Sequence, residues 1–203
     1  MTSVNEWNRR YQITDNMPSP CRVLAEYAYL LPRHGKALDL ACGLGAHALL
    51  LARHGLETYA WDFAEHAIQK VEAYAQALHL PIQTQVRDVI AQPPPAEHFD
   101  VIVVCRFLER GLMPALIKAL KPNGLLFYQT FTKHCVDQHR GPKMSQFRLD
   151  DNELLILFKQ LHLVVYREEG LIGDVSQGFR NEALLIGRKV VSSALPTTES
   201  LEW

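Results

Sequence analysis

The residues with most to say about chemistry lie in Asp39-Leu40-Ala41-Cys42-Gly43-Leu44-Gly45, between an apolar run and an amphipathic one. Glycines at such a turn allow positive φ and a close ligand approach. The amides opening a helix behind the turn form a positive end that suits a carboxylate or a phosphate. A plain tight turn uses the same two glycines, so the pair decides nothing alone. Two acids add weight. Asp62 ends a second apolar run about 20 residues after the loop, where an acid can bind ribose hydroxyls. Asp88 follows a third run. Three such features at strand ends, on the ligand-binding edge of a parallel sheet, point to a nucleoside-bearing cofactor.

Which nucleoside is a separate question. Gly43-Leu44-Gly45-Ala46-His47-Ala48 matches Gly-x-Gly-x-x-Ala, a variant of the dinucleotide fingerprint, and spacing leaves that reading open. Asp39 argues the other way. A carboxylate buried beside a cofactor loop is expensive unless hydrogen-bonded. It makes sense if it holds the glycine turn or meets a ligand ammonium group.

The elements that must position these residues follow from periodicity. Short apolar runs alternate with amphipathic stretches, the pattern of parallel strands joined by helices. Strands are predicted over residues 36–41, 56–61, 82–86, 99–105, 125–131, 161–166 and 182–186, and helices over 20–31, 46–54, 65–79, 114–119 and 150–160. Gln92-Pro93-Pro94-Pro95 must be a loop, since proline fits neither a central strand nor a helix interior. Lys121-Pro122-Asn123-Gly124 reads as a turn. Residues 132–148 lose all apolar period, and a connection that long suggests a flexible functional lid. Residues 7–11 belong to an N-terminal arm, and 192–203 read as a disordered tail.

Bulk properties narrow the class. The 203 residues, 48% hydrophobic and 21% charged, suit one globular domain with extensions. A formal net charge of -1 gives no global pull towards nucleic acid or an anionic membrane. Cys21, Cys42, Cys105 and Cys135 are scattered without a Cys-x-x-Cys pair, so reduced cytoplasmic thiols are expected, with no disulfide framework and no metal. The polar N-terminus lacks a signal core, and no apolar run approaches the roughly 20 residues of a membrane span.

The ordered motifs resemble class I S-adenosylmethionine (SAM)-dependent methyltransferases. Residues 37–45 match the first motif, Trp61-Asp62 the acid after the second strand, Arg87-Asp88-Val89 the adenine-side motif, and Leu120-Lys121-Pro122-Asn123-Gly124-Leu125-Leu126 the turn before the fifth strand. The resemblance covers about residues 7–188. Within that class, Trp7-Asn8-Arg9-Arg10-Tyr11 is similar to the Trp-Asp-x-Arg-Tyr arm of the tellurite-resistance (TehB-like) group, with Asn8 in place of the usual Asp. Tyr128-Gln129-Thr130-Phe131 and Gly178-Phe179-Arg180-Asn181-Glu182-Ala183 also look like segments of that group. The resemblance implies an α/β, Rossmann-like three-layer sandwich, with a seven-stranded, mostly parallel sheet whose last strand is antiparallel. It implies that residues 1–32 cover the cofactor site, 33–190 form the methyltransferase domain, and 191–203 trail from it. It implies SAM as cofactor, S-adenosylhomocysteine as product and a small-molecule acceptor. By position, Asp39, Ala41, Gly43 and Gly45 serve the methionine part, Asp62 the ribose, and Asp88, Val89 and Phe63 the adenine. Cys105 and Arg106 fall near the sulfonium.

The acceptor side is less legible. A thiol, selenium or tellurium acceptor attacks as its anion and needs no strong base; an oxygen or nitrogen acceptor more often does. No residue stands out as that base, and a non-catalytic SAM-binding domain is the alternative from outside the enzymes. Arg106 and Arg110 flank the fourth-strand exit and are candidates for orienting an anionic acceptor, with Trp7, Tyr11 and Phe131 as further candidate contacts. His134, Cys135 and His139 lack the further ligand a metal site needs. Val104 precedes Cys105 where covalent pyrimidine methylation has proline, and no Asx-Pro-Pro-aromatic motif marks base or glutamine methylation. No basic and aromatic patch suggests nucleic acid. A monomer or homodimer is expected.

Overall fold

The computed structural model describes residues 4–14 and 16–190. Strands β1 (Lys36–Leu40), β2 (Glu57–Asp62), β3 (Ile82–Val86), β4 (Phe99–Cys105), β5 (Leu120–Phe131), β6 (His162–Arg167) and β7 (Glu182–Arg188) form one sheet in the order β3-β2-β1-β4-β5-β7-β6. β1 to β5 are mutually parallel, and β7 runs antiparallel to both β5 and β6. The expected Rossmann-like sandwich is the fold observed.

Alternation along the central strands sorts the core into two layers. Leu38, Leu40, Ile102, Val104, Leu126 and Tyr128 face α5 (Met113–Ala119) and α6 (Glu153–Leu157). Ala37, Val101, Val103, Phe127 and Leu184 face α2 (Arg22–Ala25) and Leu51 of α3 (Ala46–Arg53). α4 (Glu65–Ala77) adds Ile68 and Val71 against Ala48 and Ala60. Asp39 belongs to the layer under α3, since its register partners are Ala60 and Val103. α1 (Val4–Gln12) lies on α4.

Several expected boundaries move. The helix expected over 20–31 is a single turn, α2, followed by a 3-10 turn at Ala28–Leu30. The helix expected over 150–160 starts at Glu153, because Asn152 is left-handed (φ 60°). Lys121-Pro122-Asn123-Gly124 is taken into the irregular start of β5, where the register with β4 shifts between Phe99 and Val101. Its turn residues are still needed. Asn123 has φ 65°, and a Cβ on Gly124 would lie 2.9 Å from the Lys121 carbonyl and 3.1 Å from that of Phe99.

Residues 132–148 form a loop that is exposed along most of its length and anchored at its inner end. The buried Arg148 guanidinium is the anchor, donating to the carbonyls of Thr132 (3.0 Å), Pro142 (2.8 Å) and Arg140 (2.6 Å) and to Cys135 Sγ (3.3 Å). The tail expected over 191–203 lies outside the described residues, as do residues 1–3 of the arm. No helix among the described residues is long and apolar enough to cross a membrane.

Candidate functional site

The loop after β1 turns by alternating left-handed residues: Ala41 (φ 55°), Gly43 (φ 52°) and Gly45 (φ 76°). Ala41 holds this conformation at a cost of about 1–3 kcal/mol, strain of a kind that clusters at ligand sites. The loop is clamped from both sides. Asp39 Oδ2 accepts from the Ala48 amide at 3.0 Å, tying the end of β1 to the first turn of α3. Asp62 Oδ2 accepts from the Gly43 amide at 2.9 Å, and Oδ1 from the Ala64 amide at 2.9 Å. Burial raises the Asp62 pKa against the pull of these two amides. The Phe63 amide also hydrogen-bonds to this carboxylate, so Asp62 shapes the chain on both sides of the β2 end. Burial, with the charges of Asp39 and Asp62, pushes the Cys42 thiol well above its ordinary range, so Cys42 is inert packing. Gly45 is required by its φ and by Val71, whose Cγ2 would lie 2.7 Å from an added Cβ.

The other expected contacts surround this loop. Phe63, partly buried, follows Asp62. The exposed Asp88 accepts from the Ile90 amide (2.9 Å) and the Ala91 amide (3.2 Å), shaping the turn that carries buried Val89. Arg87 donates to the Gln92 and Pro93 carbonyls and lies 4.0 Å from the Trp61 ring centroid, so it pins the proline loop beside the same edge.

α1 approaches from above. Trp7 and Tyr11 stack with centroids 5.4 Å apart, and Tyr11 reaches the loop: a Cβ on Gly43 would lie 3.0 Å from its hydroxyl. Burial first, then the charge of Asp62, raises the Tyr11 pKa, so it stays a neutral phenol. Asn8 has a clear role. α4 has no side-chain cap of its own, and Asn8 Oδ1 accepts from the His66 amide at 3.0 Å. An orphan donor of the first turn is thereby capped from another element.

A cavity of about 480 Å³ opens where β4 and β5 end and β7 begins; Cys21, Arg106, Gln129, Arg140, Arg180 and Glu182 are among its lining residues. Arg106 is left-handed (φ 56°), fixed by donation of its amide to the Gln129 carbonyl at 2.8 Å. Its Nε reaches Glu182 Oε1 at 3.2 Å, and Arg140 Nη2 lies 3.6 Å from the same oxygen. Gln129 Nε2 donates to Glu182 Oε2, while Gln129 Oε1 accepts from the Val23 amide at 2.8 Å. Phe131 is buried beneath, its ring centroid 5.7 Å from the Arg106 guanidinium. Leu40 pairs with Val104 in register, so this cavity adjoins the glycine loop across one strand spacing.

Arg110 is turned elsewhere. It forms a two-pronged pair with Glu153 (2.6 and 2.9 Å) and donates to the carbonyls of Gln146 and Arg148. It braces the 132–148 loop and is not among the residues lining this cavity. His134 pairs with Asp151 at 2.7 Å.

Sequence reading missed a cluster between the two regions. Cys21, His47 and Cys105 come together, each offering one donor atom within 4.8 Å of the others. The Cys21 amide donates to His47 Nε2 at 3.0 Å, and His47 Nδ1 lies 3.5 Å from Asp39 Oδ1. Burial lowers the His47 pKa, and Asp39 and Cys21 raise it by more. The raised pKa alone would keep both ring nitrogens protonated, but the Cys21 amide can only donate, so the hydrogen bond decides: Nε2 is unprotonated and the ring carries its proton on Nδ1 towards Asp39. Hydrogen bonding to Cys105 draws the Cys21 thiol down to about 5 despite burial, while burial holds Cys105 well above the ordinary thiol range. Gln129 and Glu182 were also missed as site residues. Their one local signal is a polar side chain inside an apolar strand.

A family model described as a methyltransferase domain matches residues 9–169. The ubiquinone biosynthesis O-methyltransferase of Coxiella burnetii (strain RSA 493 / Nine Mile phase I) is 31% identical over 102 residues, which cover 48% of this chain and 44% of the relative. The chain thus spans less than half the length of the curated relatives it matches. Among solved structures, TehB from Haemophilus influenzae superposes with a TM-score of 0.67 at 22% identity, over 91% of this chain and 66% of that one. A SAM-dependent methyltransferase from Aquifex aeolicus gives 0.66 at 15% identity, over 90% and 98%. At such identities the structural likeness speaks for the fold.

Proposed function

Since the chain belongs to the methyltransferase-domain family, we propose that it transfers a methyl group from SAM to a small-molecule acceptor held in the cavity beside Arg106, the acceptor being a thiol, selenium or tellurium compound that arrives as its anion. SAM, when bound, supplies a methyl group on a sulfonium that is already a good leaving group. The rest falls to the chain's own residues. Asp62, at the end of β2 beside the glycine loop, suits a ribose diol, and the Gly43 backbone gives the methionine part close approach. The Asp88 turn, with Val89 and Phe63, borders the adenine. The arm carrying Trp7 and Tyr11 excludes water from above the loop. Such positioning can be worth roughly 7–11 kcal/mol of barrier.

The observation that carries the acceptor class is the state of Glu182. It is the carboxylate among the cavity's lining residues. One of its oxygens faces Arg106 and Arg140, and the other accepts from Gln129. It is built into the wall rather than aimed at a substrate proton. A guanidinium-rich cavity without a free base suits a nucleophile that is already an anion. A second reading, methylation at oxygen, is favoured by the name of the Coxiella relative.

Calorimetry with SAM, S-adenosylhomocysteine and NAD tests the cofactor. Binding of both adenosyl compounds with NAD silent is expected, and NAD binding alone would refute the reading. A screen of thiols, chalcogen oxyanions and phenols with labelled SAM tests the acceptor. Turnover confined to phenols selects O-methylation, and SAM binding without turnover across a broad screen marks a binding domain.

A further inference from the structure

Of Cys21, His47 and Cys105, Cys105 alone is expected near the sulfonium, and the methyl transfer above assigns a step to none of the three. Their cluster draws one side chain each from the stretch before α2, the first turn of α3 and the end of β4. We propose that these three side chains bind a soft d10 cation of the Zn²⁺ type, at a three-ligand site with an open position reached from the cavity beside Arg106.

The donor set is the first argument. Two sulfurs and one imidazole nitrogen suit Zn²⁺ or Cd²⁺ and not Mg²⁺ or Ca²⁺. Geometry is the second. Zinc holds sulfur at about 2.3 Å and nitrogen at about 2.0–2.1 Å. Donors that lie within 4.8 Å of one another need only close slightly around such an ion. The surrounding contacts are the third. His47 presents Nε2 on the Cys21 side and directs Nδ1 to Asp39, the carboxylate–histidine arrangement that orients ligating imidazoles. The cation takes the place of the Cys21 amide at Nε2. Cys21 follows Pro18-Ser19-Pro20 and precedes the first turn of α2, so the Pro20–Cys21 peptide lies outside regular structure and must rotate for the ion to reach Nε2. Entry is the fourth. Cys21 lines the cavity, so an ion reaches the cluster without unfolding the core. Binding with both sulfurs as thiolates leaves the M²⁺ site neutral, and any proton still on either sulfur passes to solvent.

The test uses the full chain, reduced and kept free of oxygen, titrated with Cd²⁺ while the ultraviolet thiolate-to-cadmium charge-transfer band is read. We expect one Cd²⁺ per chain, displaceable by Zn²⁺, with affinity at least ~10-fold weaker in Cys21→Ser and in Cys105→Ser and unchanged in Cys135→Ser. Absence of the band in the wild type overturns the proposal, as does a band of the same affinity in both variants. A second measurement needs no variant. Alkylation of the native wild-type chain, read by mass spectrometry, should slow at Cys21 and Cys105 when Zn²⁺ is present; equal alkylation with and without Zn²⁺ also overturns it. Neither readout involves SAM or methyl transfer, so failure here is separate from failure of the proposed function.

Discussion

Asp62 combines two tasks in one carboxylate: it accepts from amides that shape the loop, those of Gly43 and Ala64 among them, and it stands where the ribose of the cofactor is expected. Replacing it by alanine strands these amides and removes the ribose partner. A buried donor left unpaired costs about 1–3 kcal/mol, so SAM affinity should fall roughly 5- to 150-fold in Asp62→Ala. Calorimetry reads this directly, and unchanged affinity would remove Asp62 from the cofactor site. Arg106 is expected to separate the two halves of the site. Arg106→Ala should raise KM for the acceptor about tenfold or more, the loss of a charge-assisted contact of at least about 1.5 kcal/mol, and leave SAM binding intact. A fall in SAM affinity with acceptor kinetics unchanged would reverse that assignment. These residues differed in how readable they were. Gly43, Gly45, Asp39 and Asp62 sit at strand ends, and strand ends are visible as local pattern. Glu182 joins the site only because β7 pairs antiparallel with β5, which sets it opposite Phe131. His47 and Cys21 meet only through helix placement, which no local pattern encodes.

At the scale of elements, the segment 132–148 reads as a lid because its sequence has no apolar period. The period is missing because the loop is anchored by a guanidinium instead of an apolar stripe. Arg148 donates to at least three carbonyls and a sulfur, which only a planar fork can do. Arg148→Lys should therefore destabilise the chain by roughly 3 kcal/mol or more, since each lost bond to a charged group is worth about 1.5–3 kcal/mol. For a chain of this size that is a drop in Tm of roughly 6–12 °C, with early proteolytic cleavage inside 132–148. A lysine variant as stable and as protease-resistant as wild type would show that the loop does not depend on the fork. The arm makes the opposite prediction. α1 buries no residue fully and is held to α4 by Asn8 and by Lys70, which donates to the carbonyls of Gln12 and Thr14. Trp7→Ala with Tyr11→Ala removes a half-buried stacked pair worth about 1 kcal/mol and should lower Tm by only roughly 2–4 °C, yet speed SAM release in stopped-flow measurements. Unchanged release would detach the arm from the cofactor site.

For the whole molecule, parallel strand runs and ordered motifs made the sheet legible, while the ends of α2, α6 and β5 were not. The ends of α6 and β5 depend on the left-handed residues Asn152 and Asn123 and on one strand crossing close to the next. Stability against acid is also a property of the whole, because carboxylates are shifted in both directions. Arg110 holds Glu153 below the usual carboxylate range. The Phe179 amide and Arg167 do the same for Glu169. Burial raises Asp100, but Lys121 and the Lys36 amide bring it down overall. A depressed folded pKa means that the unfolded chain binds the proton more tightly. The stability these groups contribute is complete above the unfolded values, about 3.9 for Asp and 4.3 for Glu, and is lost as pH falls through the lower folded values. Asp62 runs the other way. Its folded pKa is raised, so its contribution is full at low pH and declines as pH rises through that folded value. The depressed carboxylates outnumber it, and Tm should fall steeply below about pH 4. The pair Arg110–Glu153 isolates one part of this slope, since the Glu153 side chain is only 14% exposed. Glu153→Gln removes the charge, so its Tm should lie below wild type at neutral pH, and the two curves should converge as acid protonates Glu153 in the wild type. A constant gap down to about pH 3 would show that the two-pronged bridge stabilises the loop by its hydrogen bonds alone and not by its charge.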